Sequence, residues 1–136
     1  MYKHILVPIV FDHHPSAEQA IGIAKALMAD GGKITLLHVV EDIPSYAATM
    51  IPQDVWSDSI KHAHTNLKEL ANAHAPDAKV EVVQGHPSRA ILDFSDGKGA
   101  DCIVISSHKP GLEDYLLGST AARVVRHAYC AVHVLR

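Results

Sequence analysis

Residues 100–136 read ADCIVISSHKPGLEDYLLGSTAARVVRHAYCAVHVLR, and this stretch decides the fold. It opens with an apolar run at 102–105 and crosses a polar loop. Gly118 and Ser119 then start a stretch in which Ala121, Val124, Val125 and Ala128 recur at helical spacing, and a second apolar run follows from Ala131 to Leu135. Each run is too short for a helix, and the crossover between them is long enough to hold one. Strand, helix, strand in that order makes a parallel βαβ unit.

Outward from this unit the pattern repeats. Runs at 5–10 and 34–40 are nearly continuous in Val, Ile and Leu, as strands buried on both faces of a parallel sheet are. A further run at 80–83 starts by alternating with Lys79 and Glu81, which sets it nearer an edge. Helical spacing fills the intervals. Ser16 and Gln19 form a capping-box pair ahead of Ala20, Ala24, Leu27 and Met28, and Gly31 and Gly32 stop that helix. Trp56, Ile60, Ala63, Leu67, Leu70 and His74 step along one face until Pro76. A short helix is predicted over about 88–94, after Pro87. The order β-α-β-α-β-α-β-α-β defines a doubly wound α/β fold with an open parallel sheet and helices on both faces. The long irregular stretch 41–52, with Pro44, Tyr46, Met50 and Pro52, follows the second strand, where such folds bind ligands.

Length and composition narrow the function. With 136 residues the chain makes one domain, 1–136, and 48% hydrophobic against 20% charged residues is the balance of an ordinary globular core. A net charge of -3 provides no basic footprint for a phosphate backbone, so nucleic acid is not an expected partner. Pro8 interrupts the first apolar run, so no signal peptide or membrane span is read there, and a cytoplasmic location is expected. Cys102 and Cys130 lack CxxC spacing and read as reduced thiols in or near the core.

In open α/β sheets the ligand crevice lies outside the carboxyl ends of the strands where strand order reverses, here the first and fourth. Those ends read VPIVFDHHPS and VISSHKPG. Beyond the second, Gly118 permits close backbone approach, Ser119 and Thr120 offer hydroxyls, and no acidic side chain sits in the helix's first turn. The segment reads either as an anion-binding helix N-terminus or as an ordinary N-cap. Eleven histidines raise the question of a metal, with His13, His14 and His108 all at strand ends. No i, i+4 pair or Cys/His spacing supports one, so none is expected. His38 and His133 fall within strands, and His127 suits the end of a helix. No P-loop, nucleophile elbow or dinucleotide fingerprint occurs, so catalytic residues are not assigned.

Further patterns converge on one family. ILVPIV, LLHVVED, GHPSRAIL and the quoted tail together resemble the universal stress protein family from end to end. The S-H-K-P, YLLGS and VVRHAYC elements are most similar to its small bacterial F and G types. The resemblance implies a five-stranded sheet in the order 3-2-1-4-5 with two helices on each face, the adenine nucleotide alpha hydrolase-like arrangement. It also implies a stress-response protein that binds ATP or AMP, with Mg2+ as an optional companion, and at most slow ATP hydrolysis. Carried over by position, Pro8, Ile9, Val10 and Val39 face the adenine, Ser106 lies by the ribose, and Ser107 joins the nucleotide-binding set. His108 and Lys109 approach the phosphates, and Gly118, Ser119 and Thr120 cradle them. A homodimer paired through Ala131 to Leu135 is implied, with a further protein partner left unidentified. The chain departs from the family pattern where Val10 holds the place of an aspartate and where His108, Lys109 and Pro110 fill a glycine position. A dimeric interaction module of the same fold, without nucleotide, is the alternative reading. A nucleotide-hydrolysing or nucleotide-transferring enzyme ranks third.

Overall fold

The computed structural model describes residues 1–11, 14–42, 47, 49–107 and 117–136, with 14 and 15 described by backbone alone. The elements among them are β1 Tyr2–Pro8, α1 His14–Leu27, β2 Met28–Val40, α2 Gln53–His74, β3 Lys79–Gln84, α3 Pro87–Lys98, β4 Cys102–Ser106, α4 Ser119–His127 and β5 Ala131–Leu135. All strand pairs are parallel, and the order is β3-β2-β1-β4-β5, as expected.

Period-two alternation sorts the strand side chains into two cores. Ile5, Val7, Ile34, Leu36, Cys102 and Val104 pack with Ala20, Ile21 and Ala24 of α1 and with Leu67 and Ala71 of α2. Their neighbours Leu6, Leu37, Ile103 and Ile105 face the other way, onto Ile91 of α3 and Ala121 and Val124 of α4. Both faces of β1 and β4 are therefore covered, which explains their unbroken apolar runs. The edge position of β3 accounts for its half-exposed alternation.

Several boundaries differ from the expected ones. The first helix opens at His14, two residues before Ser16, so Ser16 lies inside its first turn and is not its N-cap. It also ends at Leu27: Met28 begins β2 and pairs with Tyr2, while Gly31 and Gly32 lie within the strand's irregular start. The register jumps between Tyr2 and His4, and Gly31 at φ 76° absorbs the bend. Periodicity continued the helix through Met28 because an apolar residue followed by glycine reads as a helix end. β1 starts at Tyr2 and stops at Pro8, leaving Ile9 and Val10 beyond it. α3 runs to Lys98, past the expected end near 94, and Gly99 at φ 69° closes it in the left-handed conformation. Among the described residues no helix is long and apolar enough to cross a membrane.

The N-terminal end of the sheet is closed by a polar knot. Asp101 accepts the N–H groups of Lys3 and His4 on its two oxygens, at 2.9 Å each, and its own N–H donates to the His4 carbonyl at 2.9 Å. The His4 ring is buried, with Nδ1 3.1 Å from the Lys98 carbonyl and Nε2 2.9 Å from Thr35 Oγ1. Because a carbonyl only accepts, Nδ1 carries the proton and Nε2 of the neutral ring accepts from the Thr35 hydroxyl. Burial, reinforced by the Lys33 charge, holds the His4 pKa below its ordinary value. Burial acts to raise the Asp101 carboxyl, but the Lys3 and His4 N–H groups outweigh it and hold the pKa below the usual one. The Cys102 thiol is pushed up to about 11, by burial first and by Cys130 second, and both cysteines are free.

Candidate functional site

Strand order reverses between β1 and β4, and there a cleft of about 560 Å³ opens at the C-terminal end of the sheet. That volume falls within the ~300–1,000 Å³ common for small-molecule sites. One wall is the exit of β1, Pro8, Ile9 and Val10, together with Val39 and Val40 of β2. The opposite wall is Ser106 and Ser107, and Gly118, Ser119 and Thr120 at the start of α4. Leu37, Ile91, Ile105 and Ala121 supply an apolar floor drawn from the α3–α4 core. The fold thus gathers every described candidate residue into one cavity. His108 and Lys109 lie outside the described residues, as do Asp12, His13, Pro44, Tyr46 and Pro110; the side chain of His14 lies outside them too.

The β1 wall is stiff because its backbone is tied to β2. Pro8 has no N–H and ends the ladder opposite Leu37. Ile9 extends the pairing by one bond, its N–H donating to the Leu37 carbonyl at 2.8 Å. The Ile9 carbonyl in turn accepts from His38 Nδ1 at 2.9 Å, and the His38 ring lies 4.5 Å from that of Phe11, tilted by 44°. Val10 follows at the mouth, 59% exposed.

The opposite wall is built from backbone. Ser107 donates both its N–H, at 2.8 Å, and its hydroxyl, at 3.1 Å, to the Leu135 carbonyl of β5. Its own carbonyl accepts the Gly118 N–H at 3.2 Å, and a Cβ on Gly118 would stand 3.2 Å from that same oxygen. Ser107 is therefore a brace that seats the start of α4 against β5, with its one hydroxyl proton already committed. The close approach that Gly118 permits in this structure is to the protein's own backbone. Gly118 is the N-cap in an extended conformation, without a side-chain cap, and the first turn holds no acidic residue. The first intrahelical bond runs from Ala122 N–H to the Gly118 carbonyl at 2.9 Å. The N–H groups of Ser119, Thr120 and Ala121 precede it at the positive end of the helix dipole.

Sequence reasoning missed Ser16, Ala17, His38, Glu41 and Pro87, all of which line the cleft. Ser16 was assigned to a cap, although the first turn of α1, also free of acidic residues, borders the cavity. His38 reads in sequence only as a residue within a strand; the signal available is a polar residue two positions before the strand's end. Among the described lining residues Glu41 alone is acidic, and none is Lys or Arg. No group of three or more His, Cys, Asp or Glu that could hold a metal occurs among the described residues.

A doubly wound parallel sheet with its cavity at the switch point defines the class of α/β proteins that take ligands outside the strand ends. Within that class the chain belongs to the universal stress protein family, whose model matches residues 1–136. Universal stress protein G of Salmonella typhimurium is 32% identical, with all of both chains covered. The solved structure of hypothetical protein MJ0577 is 27% identical over 99% of this chain and 96% of that one, at a TM-score of 0.79. A universal stress protein solved in complex with cAMP shares the fold at 22% identity and a TM-score of 0.64, over 99% of this chain and 97% of that one.

Proposed function

We propose that this protein binds an adenine nucleotide, ATP or AMP, in the cleft between β1 and β4, and that it acts in the cytoplasm as a one-domain stress-response protein. The carrying observation is the start of α4. An uncapped N-terminus without acidic residues opens onto a cavity whose floor and opposite wall are apolar. Backbone N–H groups and the Ser119 and Thr120 hydroxyls suit the phosphates. Pro8, Ile9, Val10 and Val39 suit a flat, weakly polar base, and Ser106 suits the ribose. Lys109 and His108 join the phosphate end in this proposal, and Mg2+ enters only as the counter-ion of ATP. The complex with cAMP in a protein of the same fold adds support for an adenine ligand. Output passes through a homodimer paired along β5, an edge strand with His133 exposed, and through contacts with a protein partner.

Two measurements test this. Purified protein is denatured and its supernatant run on an anion-exchange column, and refolded or ligand-free protein is titrated with ATP and AMP by calorimetry. Released adenine nucleotide or saturable heat is expected. Neither one, from a folded dimer, would leave the nucleotide-free interaction module as the better reading. Light scattering should report a dimer, and a monomer at all concentrations would remove the β5 pairing.

A further inference from the structure

We infer that His38 is a positioning residue for the base-receiving wall of the cleft, an inference that rests on the adenine reading of that cleft. The β1–β2 ladder ends at Pro8, which cannot donate, so the wall beyond it depends on what holds Ile9. Ile9 is clamped to β2 by both of its backbone groups, its N–H to the Leu37 carbonyl and its carbonyl to His38 Nδ1. The second bond comes from a side chain, and it is the last tie to β2 among the described residues before Val10 turns out to the mouth. Phe11 then packs its ring on the same imidazole, so one side chain fixes the residues on either side of Val10.

The chemistry specifies which atom matters. A carbonyl needs a donor, so Nδ1 carries the proton whether the ring is neutral or charged, and the clamp holds in both states. Side-chain alternation sets His38 on the α1 side of β2 and Val39 on the other, where Val39 packs against the α3–α4 core. His38, although it borders the cleft, therefore acts on the wall through its backbone, by fixing where Ile9 and Val10 stand. A wall that is already in place spares the ligand the entropy of ordering it.

The test uses three substitutions at the same position. His38→Asn keeps an amide donor on the atom bonded to Cγ, where Nδ1 stands; His38→Gln moves it one bond further out; His38→Leu removes it. Calorimetry with adenosine and AMP should find the Asn variant within about two-fold of the wild type and the Gln and Leu variants about ten-fold weaker. The loss should be equal for both ligands, so that the AMP-to-adenosine affinity ratio stays constant, which a general loosening of the fold would not preserve. Amide exchange at Val10 and Phe11 should accelerate in the Gln and Leu variants only. Should His38→Leu fail to fold, Phe11→Leu removes the ring contact alone and is expected to weaken both ligands about three-fold. A wild type that binds neither ligand overturns the adenine reading, and this inference with it. A wild type that binds, with Asn as weak as Leu or with all variants equal, overturns the role of His38 alone.

Discussion

At the N-terminal end of the sheet Asp101, His4, Thr35 and the Lys98 carbonyl satisfy one another in a single knot around the buried His4 ring, while at the C-terminal end the first turn of α4 faces a cavity without a side-chain cap. Both regions lie at ends of the same parallel strands, where backbone groups run out of ladder partners. At one end side chains from β1, β2 and the residue before β4 close the account. At the other, Ser107 and His38 hold the walls in place and leave the groups between them facing the cleft. If the proposed function holds, one end serves stability and the other binding, and changes at the two should separate in experiment.

The largest effect is expected at the knot. His4→Ala removes a buried ring and leaves the Thr35 hydroxyl and the Lys98 carbonyl without their partner, a loss of about 3 kcal/mol in urea denaturation. Nucleotide affinity of the protein that remains folded should not change, and an affinity loss as large as the stability loss would break the separation of the two ends.

Acid should act through the same end. The His4 pKa is lowered on folding, so the unfolded chain takes up its proton first. Stability from this group is complete above the ordinary value of 6.5 and is lost as pH falls through the lower folded value. Asp101, also lowered, adds a loss of the same sign beginning below about its ordinary 3.8. Urea midpoints at pH 7.5 and 5.5 should therefore fall in the wild type and differ less in His4→Ala. A midpoint that rises on acidification would contradict the burial of a neutral ring.

A smaller effect is expected at the cleft. Gly118→Val forces a branched side chain toward the Ser107 carbonyl and tilts the start of α4, so AMP should bind about ten-fold more weakly, or ~1.4 kcal/mol. Because Ser107 also braces β5, some stability should be lost along with affinity, whereas at the knot stability alone should change. Calorimetry and thermal unfolding on one preparation would measure both.

The smallest is a gain. Val10 is 59% exposed at the mouth, so Val10→Asp places a carboxylate there at little cost to the fold. Adenosine should bind about 1 kcal/mol more tightly through a charge-assisted hydrogen bond, with the urea midpoint unchanged. Unaltered or weaker adenosine binding would mean that the nucleoside does not lie against this wall.

Much of the cleft was legible from residues alone. Pro8, Ile9, Val10, Ser106 and Gly118 stand at strand or helix ends, and the reversal of strand order brings those ends together. Ser16 and Ser107 were read less well. Ser16 has the local pattern of a cap, but α1 begins earlier and turns that residue to the cleft. The Ser107 hydroxyl resembles a ligand contact in sequence and is spent on Leu135, 28 positions away.

What the sequence determined by itself was which segments are buried and in which period, because apolar spacing records how many faces of an element are covered. That was sufficient for strand against helix, for the two-faced burial of β1 and β4, and for the edge position of β3. Tertiary structure alone decided the pairings that carry no local pattern. The Asp101 carboxylate finds the His4 N–H 97 residues back in the chain, His38 finds the Ile9 carbonyl across 29, and β2 starts at Met28 because Tyr2 is there to pair with it. Hydrogen bonds of that kind depend on strand register, and register is set only when the strands lie side by side.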